Sequence, residues 1–269
     1  MTLPAYAMNV SSFPEMYERW LVGPLFQPFA EALVERAGLA AGDRVLDVAC
    51  GTGIVARLAK DHLEKTGHVV GVDVSPQMLA VARTVAPGIE WREGNATTLP
   101  LQEGEKFDVV FCQQGLQFFP DRPASVAEMR RAIARGGRLI VAVWKALEET
   151  PLFRDTYRVA EQRLGPFVDR RHSFGDPSAL ERLIANAGFE EVRVQTLTRT
   201  IRFADPIMFL RLNTMALVGM SPASSSMNDD ERATVAAAIV EDSNDVVRQY
   251  SSSEGLAFEV GTNVATARG

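Results

Sequence analysis

The stretch VLDVACGTGIVARLAK, residues 45–60, constrains this chain more than any other part of it. An apolar run ends in Asp47, passes through Gly51 and Gly53, and continues with the apolar spacing of a helix. A strand, a glycine loop and a helix in that order open a βαβ unit, which commits the chain to a parallel sheet. The alternation then repeats. Strands are predicted at 44–49, 68–74, 89–95, 106–113 and 137–144, and helices at 54–65, 76–86 and 122–134, with Ser75 and Asp121 as N-terminal caps. A helix over 178–189, closed by Gly188, precedes two runs, 192–203 and 256–268, that alternate polar and apolar residues. The expected architecture is α/β: a Rossmann-like, doubly wound, mostly parallel seven-stranded sheet with an antiparallel edge. Segments 152–165, 205–220 and 231–250 are expected to be helical insertions that cap one end of it.

In open α/β sheets the first strand–loop–helix lines a ligand site beyond the carboxyl ends of the strands. Glycines there let a ligand approach the backbone, and the helix start offers unpaired N–H groups. A turn that merely needs positive φ is the plainer reading of Gly51 and Gly53. GTGIVA also satisfies the dinucleotide pattern G-x-G-x-x-G/A. Asp47 helps to separate the ligands: a carboxylate at the strand end repels a pyrophosphate and suits a cation. S-adenosylmethionine (SAM), with its sulfonium and ammonium, is such a cation.

The run D-V-A-C-G-T-G resembles motif I of the class I SAM-dependent methyltransferases, in the branch similar to the ubiquinone and menaquinone C-methyltransferases. Ala49 stands where that motif usually has its first glycine. The resemblance extends through about 190 residues and implies a cofactor-binding set. Asp73, in GVDVSPQM, would take the ribose hydroxyls and Met78 would pack on the adenine, where a helix cap and an ordinary helix-face residue are the alternatives. In EGNATTLPL, Asn95 replaces the family's aspartate toward the adenine amino group, with Ala96 beside the base; a turn-forming Asn is the alternative. In FDVVFCQQGLQFFPD the backbone of Gln113 would meet the methionyl ammonium, Gln114 receives no assignment, and Gln117 replaces a family histidine. Upstream, 14–34 resembles a helical cover, with Tyr17, Trp20 and Phe26 able to close over the cofactor or to pack as core. The resemblance implies one domain over 1–269, with a cover at 1–40, a cofactor-binding core at 41–147 and cap insertions at 148–175 and 204–252.

The implied activity is methyl transfer from SAM, leaving S-adenosylhomocysteine (SAH), to a small hydrophobic or aromatic metabolite. The alternative is a SAM-binding relative with non-methyl chemistry or a non-catalytic role. No obligatory base is expected; among His62, His68 and His172 only His172 is placed to reach the mouth, and a solvated loop histidine is its plainer reading. Met208, Phe209, Leu212, Met215 and Met220 could line an acceptor pocket or serve as core. A formal net charge of −6 without a basic stripe argues against a nucleic-acid partner. Three scattered histidines and two distant cysteines have no metal-ligand spacing. Cys50 and Cys112 each end an apolar run, which speaks against a disulfide framework. No leader or membrane-spanning run is apparent. The expected protein is cytoplasmic, with its oligomeric state open between monomer and homodimer.

Overall fold

The computed structural model describes residues 13–63 and 66–269. Five parallel strands, β1 (Arg44–Val48), β2 (His68–Asp73), β3 (Glu90–Glu93), β4 (Phe107–Gln113) and β5 (Ile133–Trp144), are followed by β6 (Glu190–Phe203), the short β7 (Ser251–Ser252) and β8 (Gly255–Arg268). Their order across the sheet is β3-β2-β1-β4-β5-β8-β6, with β7 paired to β8 beside that path. The strand order reverses between β1 and β4, so the crevice beyond Val48 and Gln113 is the topological switch point.

The expected architecture is present, with seven strands on the main path and β7 as an eighth. Only β6 forms the antiparallel edge. Strand β8 lies inside, paired antiparallel to both β5 and β6, and its run Val260–Ala265 is buried. Strand β5 starts earlier than its apolar run because Ile133 already pairs with Phe107, before an irregularity that restores register at Arg138.

The central strands β1 and β4 and the second half of β5 are largely apolar because both faces are covered, whereas the edge strand β3 reads EWRE. Val45, Phe111 and Ile140 face one buried cluster, while Leu46, Val110 and Leu139 face another. Helices Ile54–Leu63 and Pro76–Val85 return the chain on either side of β2, the second with Ser75 Oγ accepting from Met78 N–H at 3.2 Å. The expected end of the first at 65 lies outside the described residues.

Three helical segments, Phe13–Met16, Tyr17–Phe26 and Gln27–Ala37, run on without a break in backbone conformation. The middle one is π-helical and contains Pro24, which has no N–H to donate and crowds the preceding turn; a widened helix accommodates both effects. Residues 1–12 of the expected cover lie outside the described residues. Helices Pro151–Leu164, Pro206–Met220 and Asp229–Asp242 pack on one another through a third apolar cluster containing Ala160, Leu212 and Ile239. Phe209 also joins Phe153, Phe203 and Phe258 in a group of aromatic rings, so the cap shares its core with the sheet. Among the described residues no helix is long and apolar enough to cross a membrane.

Candidate active site

The chain leaves β1 through three residues of positive φ: Ala49 (57°), Gly51 (56°) and Gly53 (89°). The two glycines are needed for different reasons. A Cβ on Gly51 would point at open space bounded by the Tyr17 hydroxyl, 4.0 Å away, whereas a Cβ on Gly53 would lie 2.2 Å from the Trp91 ring. Gly51 therefore leaves room for something outside the loop, and Gly53 lets the helix start close on β3. A Cβ on Gly115 would come within 2.6 Å of the Ala49 methyl, so the alanine is accommodated because residue 115 has no side chain.

Asp47 is buried at the tip of β1. Its Oδ2 accepts from Ala56 N–H at 3.1 Å in the first turn of the following helix, yet burial pushes the carboxyl up to about 8, with the Asp73 charge adding to the rise and the Ala56 bond opposing it. Asp73 ties the loop to β2: Oδ2 accepts from Gly51 N–H and Oδ1 from Ser75 N–H, each at 2.8 Å. Its carboxyl too is raised, chiefly by burial. The helix cap is made by Ser75, and Asp73 keeps lone pairs beyond the two already used.

Both carboxylates line a cavity of about 750 Å³ over the switch point. Tyr17, Ala49, Gly51, Met78 and Gln113 line it as well, and so does His172. Burial, followed by Asp73, holds the Tyr17 hydroxyl well above its ordinary value. Gln113 Nε2 donates to the Phe26 carbonyl at 3.0 Å, fastening the end of β4 to the cover. Arg57, on helix Ile54–Leu63, forks Glu18 of the cover at 2.8 and 3.1 Å. Trp20 packs with the third cluster, while the Tyr17 and Phe26 rings meet at a tilt of 44° with centroids 4.9 Å apart.

Three expected binding residues stand outside the lining. Gly53 is occupied by its approach to Trp91. Asn95 closes its own turn, Oδ1 accepting from both the N–H and the hydroxyl of Thr97 at 3.0 Å, and Ala96 is buried in the core beside it. His172 is not a solvated loop residue: it is 6% exposed. His62 lies on an exposed face, and His68 pairs with Glu90 at 3.1 Å. Of the expected acceptor-side residues, Phe209, Leu212, Met215 and Met220 line the cavity, and Met208 packs in the third cluster.

The sequence reading missed Trp144, Phe153, Arg171, Asn213 and Arg232, which also line the cavity, as does Gln114. They come from separated segments and share no periodic signal. The cavity is polarised, with the carboxylates Asp47 and Asp73 at the sheet end and the guanidiniums Arg171 and Arg232 in the cap. Cys50 and Cys112 are free thiols, both buried, and among the described residues no cluster of three potential metal ligands occurs. Two buried carboxyls held above their ordinary range, beneath an open glycine cradle, suit a cationic ligand, because positive charge would offset the cost of ionising them.

Comparison with known proteins agrees in family. Residues 46–141 match the profile of a family described as a methyltransferase domain. A demethylmenaquinone methyltransferase of Thermus thermophilus is 36% identical over 178 residues, 58% of this chain and 77% of that one. An uncharacterised Mycobacterium tuberculosis protein is 40% identical over 124 residues, so the chain spans 44% of that relative's length. Haemonchus contortus phosphoethanolamine N-methyltransferase 2, in complex with S-adenosyl-L-methionine, shares the fold with a TM-score of 0.59 at 16% identity, over 98% of this chain and 57% of that one.

Proposed function

The chain belongs to the class I SAM-dependent methyltransferases, in the ubiquinone/menaquinone C-methyltransferase-like branch, and on that premise we propose that it methylates a small, hydrophobic or aromatic metabolite. The observation that carries this reading is the pair of buried, under-compensated carboxylates beneath the Gly51 cradle. SAM supplies, when bound, a methyl group activated by a positive sulfur. Asp47 would face that cationic end, and Asp73 would take the ribose hydroxyls through its remaining lone pairs. Met78 would flank the adenine, and Gly51 and Ala49 would form the floor. The Gln113 backbone and Tyr17 would enclose the methionyl part. Gly53, Asn95 and Ala96 would act one layer out, by shaping the turns that hold the lining.

The protein's contribution to the transfer is placement and exclusion of water. Aligning two reactants can supply roughly 7–11 kcal/mol without any further catalytic group. The cover clamped by Glu18 and Arg57 and the cap helix Pro206–Met220 supply the walls for this. In this reading residues 41–147 form the cofactor-binding core, while 148–175 and 204–252 build the acceptor side. The apolar lining of Phe153, Phe209, Leu212 and Met215 favours an acceptor with an apolar body.

Thermal-shift titration of the purified chain tests the cofactor: SAM and SAH should raise the melting temperature at concentrations where NAD and NADP do not. A response to NAD alone would overturn the reading. Transfer of labelled methyl from SAM to a panel of reduced naphthoquinones, naphthols, amines and fatty acids tests the reaction. Tight SAH binding with no transfer to any of them would favour the non-methyl alternative.

A further inference from the structure

The acceptor half of the cavity holds one nitrogen lone pair whose state is decided by a backbone carbonyl. His172 lies in the short turn Arg170–His172, and its Nδ1 is 2.8 Å from the carbonyl oxygen of Lys145, just past β5. A carbonyl only accepts, so Nδ1 carries the proton and Nε2 is bare. Among the described residues Nε2 has no hydrogen-bond partner, and His172 lines the cavity.

Arg171, the neighbouring residue, is anchored in the same wall. Its Nε and Nη2 fork Asp169 at 2.9 and 2.7 Å, and Nη1 donates to Asn213 Oδ1 at 2.8 Å. Asn213 is held in turn by Thr156, whose hydroxyl accepts from Nδ2 at 2.9 Å. Three of the five N–H donors of the guanidinium are thus used, and two remain. The Phe153 ring supports both groups, with the guanidinium carbon 5.2 Å and the imidazole 5.3 Å from its centroid. The groups facing His172 include the Lys145 carbonyl just past β5, Arg171 from its own turn, Asp169 at the cap of that turn, and Phe153 from helix Pro151–Leu164. Burial first, then the Arg171 charge, holds the imidazole down to about 4, with Asp169 and the Lys145 carbonyl acting against them. At neutral pH it is an unprotonated acceptor.

We propose that His172 and Arg171 activate the methyl acceptor as a pair, His172 Nε2 taking the proton of an aromatic or enolic hydroxyl and Arg171 holding the oxyanion that remains. The O–H bond breaks, its proton goes to Nε2, and its electron pair stays on the acceptor, shared with the ring carbons where the hydroxyl is phenolic. The imidazolium afterwards returns the proton to water through the cavity. This inference rests on the methyltransferase reading above.

The test uses two probes at pH 7.5: 1-naphthol, which is un-ionised there, and 4-nitro-1-naphthol, which is ionised and keeps its C2 position free. His172→Gln keeps a hydrogen-bonding side chain but cannot accept the proton. It should lower kcat/KM for 1-naphthol by roughly 100-fold, and for the ionised probe by less than about threefold. Arg171→Lys should raise KM for the ionised probe by about tenfold with little change in kcat. SAH binding, measured by calorimetry, should be unchanged in both variants. Equal losses on the two probes, or no loss on either, would overturn the pairing. SAH binding by the wild type without methylation of either naphthol would overturn this inference alone, whereas failure of the wild type to bind SAH would remove the methyltransferase reading beneath it.

Discussion

Replacing Asp47 by asparagine removes a charge that the folded protein holds at considerable cost, and the structure says how that cost depends on pH. The carboxyl rises from an ordinary 3.8 to about 8, burial being the first cause. That is a shift of about 4 units at 1.36 kcal/mol per unit, so ionised Asp47 opposes folding by roughly 5 kcal/mol above pH 8. The sign follows from the direction: a carboxyl raised in the folded state supports folding fully below pH 3.8, and that support is lost as pH rises to about 8. The carboxamide introduced by Asp47→Asn can still accept the Ala56 N–H and carries no charge, so the variant lacks this dependence. Urea denaturation of ligand-free protein at pH 5.5 and pH 8.0 spans about 2.5 units of it. The stability of Asp47→Asn relative to wild type should therefore increase by roughly 3 kcal/mol between those two pH values. Binding a cationic ligand should reverse the effect in the wild type by favouring the ionised carboxylate, which releases a proton. Calorimetry of SAM at pH 6.5 in phosphate and in Tris should then give heats that differ with buffer ionisation enthalpy, and Asp47→Asn should bind at least tenfold more weakly without that difference. A relative stability that does not grow with pH, together with unchanged SAM affinity in the variant, would refute the reasoning.

Two more perturbations probe the surroundings of the loop. Gly53→Ala meets a positive φ of 89° and a Cβ position 2.2 Å from the Trp91 ring, whose Nε1–H is held by the Ala86 carbonyl at 3.0 Å. It should destabilise by about 2–5 kcal/mol, and by only about 1–2 kcal/mol in a Trp91→Ala background, where the backbone strain alone remains; additive effects in a denaturation cycle would contradict this. Glu18→Gln breaks the fork to Arg57 between cover and core, whose side chains are 18% and 22% exposed. Stability should change by less than about 1 kcal/mol, while SAH dissociation followed by stopped flow accelerates severalfold; an unchanged rate would show that the cover is held closed by its apolar contacts alone.

How the chain would fold and which ligand class it would meet were both legible in local patterns. Apolar runs alternating with helical spacing specify a parallel sheet because a strand buried on both faces tolerates few polar residues, and Ser75 before Pro76 marks a helix start by backbone chemistry alone. A charge at the tip of a buried strand is costly, which is why Asp47 pointed the sequence reading toward a cationic ligand. What lay beyond the sequence were facts that need two distant segments at known positions. Gly51 and Gly53 read alike in the chain, and only the Trp91 ring on β3 and the Tyr17 hydroxyl of the cover separate a packing glycine from a cradle. Asn95 matched a binding position, yet its carboxamide oxygen is taken by Thr97. His172 could be read as a solvated loop residue until the Lys145 carbonyl, 27 residues away, settled which nitrogen carries the proton. Strand order and local turns are short-range consequences of residue type, whereas the state of a titratable group depends on its whole surroundings, which exist only once the chain has packed.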